Sequence, residues 1–305
     1  MKRELIAVLL LACSLAAQQM SPAPQTTAQV VVLGTGTPRP DPDRSGPSVA
    51  VVVNGKAYLV DFGPGVVRRA AAAQRNGIEA LDPRKITVAF CTHLHSDHTA
   101  GLSDLYLTPA VIRRVGPLQL YGPPGLADMA RHIQEAYAKD YDVRIHGLEH
   151  GAPLGYEMQV HEIKPGVVYR DENVTVTAFA VHHGTWDYAY GYRFDTPGRS
   201  IVISGDTSPT DAVVKACHGC DVLLHEVYST TELANDRPGD PTWPKYLAQF
   251  HTSTEELGRI ASKAQPKLLV LYHQLYGKTD DQGIVSEVKK GYSGEVVSAK
   301  DLGVY

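Results

Sequence analysis

From Gln29 onward the chain alternates short apolar runs with turn-forming residues. "QVVVLGTG" (29–36) is β-branched and broken by glycine, which predicts a strand. "SVAVVVNGKAYLVDFG" (48–63) reads as two strands joined at Asn54-Gly55, a strong hairpin signal. "VVRRAAAAQRNG" (66–77) is alanine-rich and stops on Asn76-Gly77, as a helix does. "KITVAFCTH" (85–93) predicts a buried strand, and "GLSDLYLTPAVIRR" (101–114) a helix after it.

The second half repeats the alternation. "LQLYGPPG" predicts a strand and turn, and "LADMARHIQEAYAKD" (126–140) one helix. "NVTVTAFAVHHG" and "YAYGYRFDTPGRSIVISGDT" predict three strands with a hairpin turn at "DTPGRS". "SPTDAVVKAC" reads as a short helix capped by Ser208. "DVLLHEV" and "PKLLVLYH" are buried strands around the helix "STEELGRIASKA"; the helix "GIVSEVKKG" and the strand "GEVVSA" follow. Strands that return both by hairpin and by helix predict an α/β sandwich of two mixed sheets with helices outside.

The beginning of the chain follows a different pattern. Residues 1–17 have a basic start (Lys2, Arg3), an apolar run from Leu5 to Leu15 and then small residues. This is the pattern of a signal peptide, cleaved after Ala16 or Ala17, and the run is short for a membrane span. It predicts a periplasmic or secreted protein. "LLAC" offers a rival reading in which Cys13 is lipidated and anchors the chain to a membrane. Residues 18–28 read as a flexible linker, and 29–305 as one catalytic domain. Export permits disulfides. Cys217 and Cys220 are expected as a local disulfide or as two free thiols, and Cys91 as a buried thiol. The 305 residues are 43% hydrophobic, enough for a substantial core, and the net charge of −4 lacks the basic field typical of nucleic-acid binders.

The chemistry concentrates at predicted strand ends. "CTHLHSDHTAG" (91–101) puts His93, His95, Asp97 and His98 on one loop after a strand. Four metal-type ligands in six positions are far more than a satisfied surface loop needs. His182 and His183 end another strand, Asp206 follows "SIVIS", His225 and Glu226 end "LLHE", His251 precedes a helix, and His273 ends "LLVLYH". The ends of several strands can converge on one edge of an α/β sandwich. Adjacent residues point to opposite faces of an extended chain, so one of His182 and His183 is expected to reach the site. His225 is expected to pack on its strand's other face. Trp186, Tyr188, Trp243 and Tyr246 fall near the expected mouth.

The motif "THLHSDHTAG" resembles the His-x-His-x-Asp-His signature of the metallo-β-lactamase superfamily. "LGTGTPRPDPDRSGPS", "VHHG" before "GYRF", "SGDT", "HEV", "FHTS" and "LYH" resemble its ribonuclease Z and arylsulfatase-type branch. The resemblance runs from about Val31 to the end. It implies an αββα sandwich with two metal ions, zinc or another divalent ion such as Mn2+ or Fe2+. One ion would take His93, His95 and His183, with His182 as the alternative; the other would take Asp97, His98 and His273; Asp206 would bridge them. Asp61 would brace the metal loop, Asp97 would also act as the base, and His251 would donate a proton with Glu226 holding its tautomer.

Zinc lowers the pKa of bound water toward ~7, and two ions can share the resulting hydroxide while polarising a substrate oxygen. The expected activity is therefore hydrolysis of a small-molecule ester or phosphodiester by a metal-bridging hydroxide. β-Lactam, lactone or aryl sulfate hydrolysis is the enzymatic alternative, and metal binding without catalysis the alternative of another class. A homodimer is compatible with the sequence. The leader, the acidic balance and the lack of an obvious Gly/Pro-rich arm in residues 115–175 argue against nucleic acid as the substrate.

Overall fold

The computed structural model of the protein describes residues 28–233 and 236–305. Residues 1–17, Cys13 and nearly all of the expected linker therefore lie outside the described residues, although Ala28 already opens the first strand. The strands are β1 (Ala28–Gly34), β2 (Ser48–Val53), β3 (Lys56–Val60), β4 (Val88–Phe90), β5 (Leu118–Gly122), β6 (Met158–Glu162), β7 (Gly166–Arg170), β8 (Thr175–Ala180), β9 (Tyr190–Asp195), β10 (Ser200–Ile203), β11 (Val222–Tyr228), β12 (Leu268–Leu275), β13 (Val296–Ser298) and β14 (Gly303–Val304). They form two sheets, ordered β14-β1-β2-β3-β4-β5-β6 and β13-β12-β11-β10-β9-β8-β7. Both are mixed: β1 to β3 and β7 to β10 pair antiparallel, whereas β3 to β6 and β10 to β13 pair parallel.

The apolar runs have no polar alternation because both faces of the inner strands are covered. Val30, Val32, Val51, Phe90, Tyr192 and Leu224 meet between the sheets. Val31, Leu33 and Ala50 face the opposite way, toward the helices α1 (Val66–Arg75) and α3 (Leu102–Val111); between these helices in sequence lies the single turn α2 (Ser96–Thr99). The outer face of the second sheet packs on α6 (Asp211–Cys217), α8 (Thr254–Ala264) and α9 (Asp281–Lys289) through Val213, Leu257, Ile260 and Ile284. The result is the αββα sandwich. Among the described residues no helix is long and apolar enough to cross a membrane.

Three local expectations change. The segment from Leu126 is two helices, α4 (Leu126–Ala136) and α5 (Ala138–His146), broken at Tyr137. Its residues favour helix throughout, so composition carries no stop; no residue of α5 is buried. The α6 cap is Thr210, whose hydroxyl accepts the Ala212 N–H, because Thr210 directly precedes the helix while Pro209 separates Ser208 from that position. Ser208 instead bonds the His182 carbonyl through both its N–H (2.7 Å) and its hydroxyl (3.1 Å), tying two loops of the site together. "WPKYLAQF", absent from the predicted elements, is the helix α7 (Trp243–Phe250), with Pro244 in its first turn where a missing N–H costs little. Cys217 and Cys220 are disulfide-bonded, and the buried Cys91 thiol donates to the His93 carbonyl.

Candidate metal centre

Strand ends deliver the site, most of them the ends of parallel strands, with His183 following the antiparallel β8. The loop after β4 carries His93 and His95, and α2 presents Asp97 and His98 from its single turn. β10 runs into Ser204 and Gly205 before Asp206. Gly205 has φ +62°, and a Cβ there would lie 2.7 Å from the Tyr190 carbonyl oxygen, so only glycine lets the chain turn Asp206 inward.

His273 arrives by a different device. β11 and β12 pair Glu226 with Tyr272 but Val227 with Gln274, leaving His273 as the extra residue of a bulge. Its φ is +48°, a left-handed conformation costing on the order of 1–2 kcal/mol for a residue with a Cβ. Bulges re-aim side chains beside active sites. Here the bulge turns His273 toward Asp206, with Nε2 to Oδ2 at 3.0 Å.

Two donor groups result. His93, His95, His183 and Asp206 form one, and Asp97, His98 and His273 the other; within each group the donor atoms lie within 4.8 Å of one another. Asp206 also faces the second group, its Oδ1 being 3.4 Å from His98 Nε2. The structure thus brings together all seven residues expected as ligands. It places His183, fully buried, in the cluster and leaves His182 exposed.

Most of the imidazoles are held by one nitrogen and offer the other. Nδ1 of His183 bonds the Phe250 carbonyl at 2.6 Å, Nδ1 of His273 the Gly36 carbonyl at 2.7 Å, and Nδ1 of His98 the Asp61 carboxylate at 2.8 Å. Asp61, itself at φ +60°, also accepts the Thr92 N–H and hydroxyl, which fixes the metal loop. His95 is reversed: its Nδ1 faces His93 and His183 at 2.9 and 3.0 Å, while the Trp186 indole N–H points to its Nε2 at 2.8 Å.

Does this arrangement fit a cation? Asp97 Oδ2, His98 Nε2 and Asp206 Oδ1 are buried without hydrogen-bond partners, although such atoms ordinarily find one. Lone pairs from imidazoles and carboxylates converge on a common space. That is the donor set and the orphaned geometry a divalent metal satisfies. The proton affinities divide along the same line. Burial pushes His93 and His95 down and takes His183 to about 4. Burial also opposes charge on His98 and His273, but Asp206 outweighs it at both, with Asp61 adding at His98, and both are raised.

His251 lies 3.3 Å from Glu226 Oε2 through Nδ1, without hydrogen-bond alignment, and 3.9 Å from Asp206. Glu226 Oε1 accepts the backbone N–H groups of Thr252 and Thr207 at 2.9 and 3.3 Å. His225 is buried with Nδ1 on the Glu226 carbonyl, and burial lowers its pKa to about 4. A cavity of about 610 Å3 opens beside His251, lined by residues including Arg39, Arg44, Arg237, Trp243, Tyr246 and Gln274. Of the four expected mouth aromatics, Trp243 and Tyr246 line it, Trp186 touches His95, and Tyr188 is half exposed elsewhere. Sequence reading missed the backbone carbonyls of Gly36 and Phe250, which no residue type signals. It also missed the arginines, which the chain-wide charge conceals.

Residues 56–274 match the family described as the beta-lactamase superfamily domain. The chain belongs to the β-lactamase superfamily, in its ribonuclease Z-like branch, and is a metal-dependent hydrolase. It is similar to ribonuclease Z of Mycobacterium bovis, 32% identical over 283 residues, covering 90% of this chain and 96% of that protein. It is also similar to ribonuclease Z of Mycobacterium sp. (strain KMS), 36% identical over 254 residues, covering 81% of this chain and 84% of that protein. The short form of human tRNase Z superposes with a TM-score of 0.66 at 26% identity, over 91% of this chain and 98% of that one. A metallo-β-lactamase fold protein from Bacillus subtilis, YhfI, shares the fold with a TM-score of 0.69 at 19% identity, over 91% and 98% of the two chains.

These relatives overturn the expectation that the substrate is a small molecule and that nucleic acid is not a partner: their names are those of enzymes acting on RNA. The net charge of −4 is a sum over the chain, whereas binding follows the local field, and three arginines line the cavity beside the site. The expected arm does not separate the proteins either, since this chain spans 96% of the Mycobacterium bovis enzyme.

Proposed function

We propose that this chain hydrolyses phosphodiester bonds of RNA at a two-zinc centre, and that residues 1–17 direct its export. The observation that carries the catalytic reading is the pair of donor groups with Asp206 between them. His93, His95, His183 and Asp206 would hold one ion, and Asp97, His98 and His273 the other, with Asp206 facing both groups. When bound, such a pair activates water near neutral pH and neutralises charge building on a phosphoryl group.

The side chains supply the rest. Asp97, whose unpartnered Oδ2 would face an ion, would accept a proton from the attacking water on its other carboxylate oxygen. His251, in the cavity wall and pushed down to about 4 by burial, would serve as proton donor to the departing oxygen only as negative charge builds there and the phosphorus–oxygen bond breaks. Glu226, fixed by two backbone N–H groups, keeps the His251 ring oriented. One water is added across the bond, giving a phosphomonoester and an alcohol. Export rests on the basic start and apolar run of residues 1–17.

The test measures metal content and turnover together. Purified protein is expected to hold about two zinc equivalents. It should cleave an RNA oligonucleotide and bis-p-nitrophenyl phosphate, with Asp97→Ala losing on the order of 10²-fold or more in kcat. Turnover of nitrocefin or p-nitrophenyl sulfate without any phosphodiester cleavage would sink the reading. N-terminal sequencing of the mature protein from the expressing cell tests export, and an intact Met1 would refute it.

A further inference from the structure

The last residues of the chain cross from one sheet to the other. β13 lies beside β12 in the second sheet, and β14 beside β1 in the first. The crossing is fixed at both ends: the Ala299 N–H bonds the Leu271 carbonyl and the Leu302 N–H the Val32 carbonyl, each at 2.7 Å. Asp301 sits on it. Its side chain is 8% exposed, and it belongs to neither donor group.

That carboxylate clasps the loop between β1 and β2 at its neck. On the outgoing limb, Oδ1 accepts the Thr35 N–H at 2.9 Å and the Thr35 hydroxyl at 2.8 Å. On the returning limb, Oδ2 accepts the Ser45 N–H at 2.7 Å, and it faces Arg69 Nε at 3.3 Å. The limbs also bond each other, the Gly36 N–H donating to the Ser45 carbonyl at 2.7 Å. A Cβ on Gly36 would lie 2.6 Å from that carbonyl oxygen, so any side chain there would force the neck open. Arg44 adds a second tie between the sheets. Its Nε donates to the Thr35 hydroxyl at 3.0 Å and its Nη2 to Gln274 Oε1 at 2.8 Å.

What the neck presents is the Gly36 carbonyl, the partner of His273 Nδ1 at 2.7 Å. His273 belongs to the second sheet and Gly36 follows a strand of the first, so this contact depends on the spacing of the sheets at one edge. The carbonyl keeps the ring proton on Nδ1 and leaves Nε2 for an ion. The chain end does not need Asp301 as an anchor. Val30 and Tyr305 exchange N–H to carbonyl bonds at 3.0 and 2.8 Å, whereas the hydrogen bonds of the Asp301 carboxylate go to the neck.

We propose that Asp301 is a positioning residue for the ion of the second donor group: by closing the neck it sets the Gly36 carbonyl against His273 and so fixes that ligand's tautomer and aim. The proposal rests on the metal reading of the centre. Loss of an outer partner of a metal-ligating histidine lowers affinity ~10- to 100-fold. Asp301 acts through one further link, so the lower end of that range is expected.

The clasp is read first without metal. With isotope-labelled histidine in the metal-free protein, the His273 Nδ1–H resonance should move or broaden in Asp301→Asn, which turns one accepting oxygen into a donor facing backbone N–H groups. The Nδ1–H resonances of His98 and His183, held by Asp61 and Phe250, should stay in place. An unchanged His273 resonance, or equal disturbance of all three, overturns the proposal.

Metal affinity follows, in a zinc titration against a chelator observed at His273 and at His183. Asp301→Asn should weaken the ion at His273 about tenfold and the ion at His183 by less than about twofold. Thr35→Val, which removes the hydroxyl joining Arg44 to Asp301, should act in the same direction, and Thr35→Ser, which keeps it, should match wild type. Equal weakening at both positions, or Thr35→Ser behaving like Thr35→Val, overturns the proposal. Should Asp301→Asn fail to fold, Thr35→Val carries both readouts with the same outcomes. Wild type without zinc affinity would refute the metal reading, whereas the metal-free resonances judge the clasp alone. A protein that responds as described yet cleaves no phosphodiester would refute the function and leave the clasp standing.

Discussion

The two donor groups of the centre use the same imidazole ring, similarly buried, yet their proton affinities move in opposite directions. In the first, the far nitrogens meet neutral partners: the Thr92 hydroxyl for His93, the Phe250 carbonyl for His183 and the Trp186 indole for His95. Burial dominates, and all three rings are pushed below their ordinary value of 6.5. In the second, burial is opposed by Asp206 at both rings, and His98 also has the Asp61 carboxylate behind it; both are raised. What separates the groups is direct contact with a carboxylate: His98 hydrogen-bonds Asp61 and His273 hydrogen-bonds Asp206, whereas His93, His95 and His183 meet neutral partners. Whatever raises affinity for a proton also raises affinity for a metal cation, so the second group combines stronger electrostatics with stronger competition from protons.

Removing the residue common to both groups has the largest effect. Asp206→Ala is expected to lower metal content at both positions and cut phosphodiester turnover by on the order of 10³-fold. Elemental analysis that still finds two full equivalents would break the assignment of Asp206 as shared.

Next comes the carboxylate behind His98. Asp61→Asn should weaken the more tightly coupled ion by ~10- to 100-fold in a chelator titration, as loss of an outer partner does, whereas Trp186→Phe should change the other by less. Equal losses would erase the distinction between charged and neutral backing.

Acid provides a third test. Asp206 raises the proton affinity of His98 and His273, so in the metal-free protein an incoming ion meets stronger competition from protons there than at the first group. Affinity at the second group should therefore climb by up to about tenfold per pH unit for each proton released as pH rises through 6–8. The first group, lowered and already neutral there, should stay nearly flat. Parallel slopes in metal titrations at pH 6, 7 and 8 would refute the difference.

The smallest signal comes from Trp186. An ion held by Nδ1 of His95 leaves the proton of the neutral ring on Nε2, so two N–H groups would then face each other across 2.8 Å. Metal loading should displace the indole and change tryptophan fluorescence, a response that Trp186→Phe abolishes. An unaltered spectrum would show that His95 binds through Nε2 or not at all.

The sequence revealed residues that carry their chemistry as residue type, and concealed what depends on geometry or locality. His93, His95, Asp97 and His98 announce themselves by density, and Asp206 and His273 by their place after apolar runs. The residues alone leave His182 and His183 open, since adjacent identical residues do not encode the chain's direction at a bend; the resemblance favours His183, and His183 is the one buried in the centre. The strands β6 and β7 escaped because "MQVHE" and "GVVYR" form outer edges, half covered, where neither alternation nor a continuous apolar run develops. Thr210 rather than Ser208 caps α6 because a cap is set by position relative to the first helical residue. Arg39 and Arg237 look like ordinary surface charge until the fold places them at one opening.

The bulge at His273 acts as a phase shifter in the sheet. Val270 and Tyr272 face the space between the sheets, Leu269 and Leu271 the outer helices, and the extra residue resets that count before Gln274. Deleting one residue from β12 would let the ladder close in regular register, turning the imidazole of residue 273 away from the centre while leaving most of the sandwich intact. In a library of single-residue deletions, this strand should yield folded but inactive chains. The difference between a catalyst and an inert scaffold would then be a matter of counting rather than of composition.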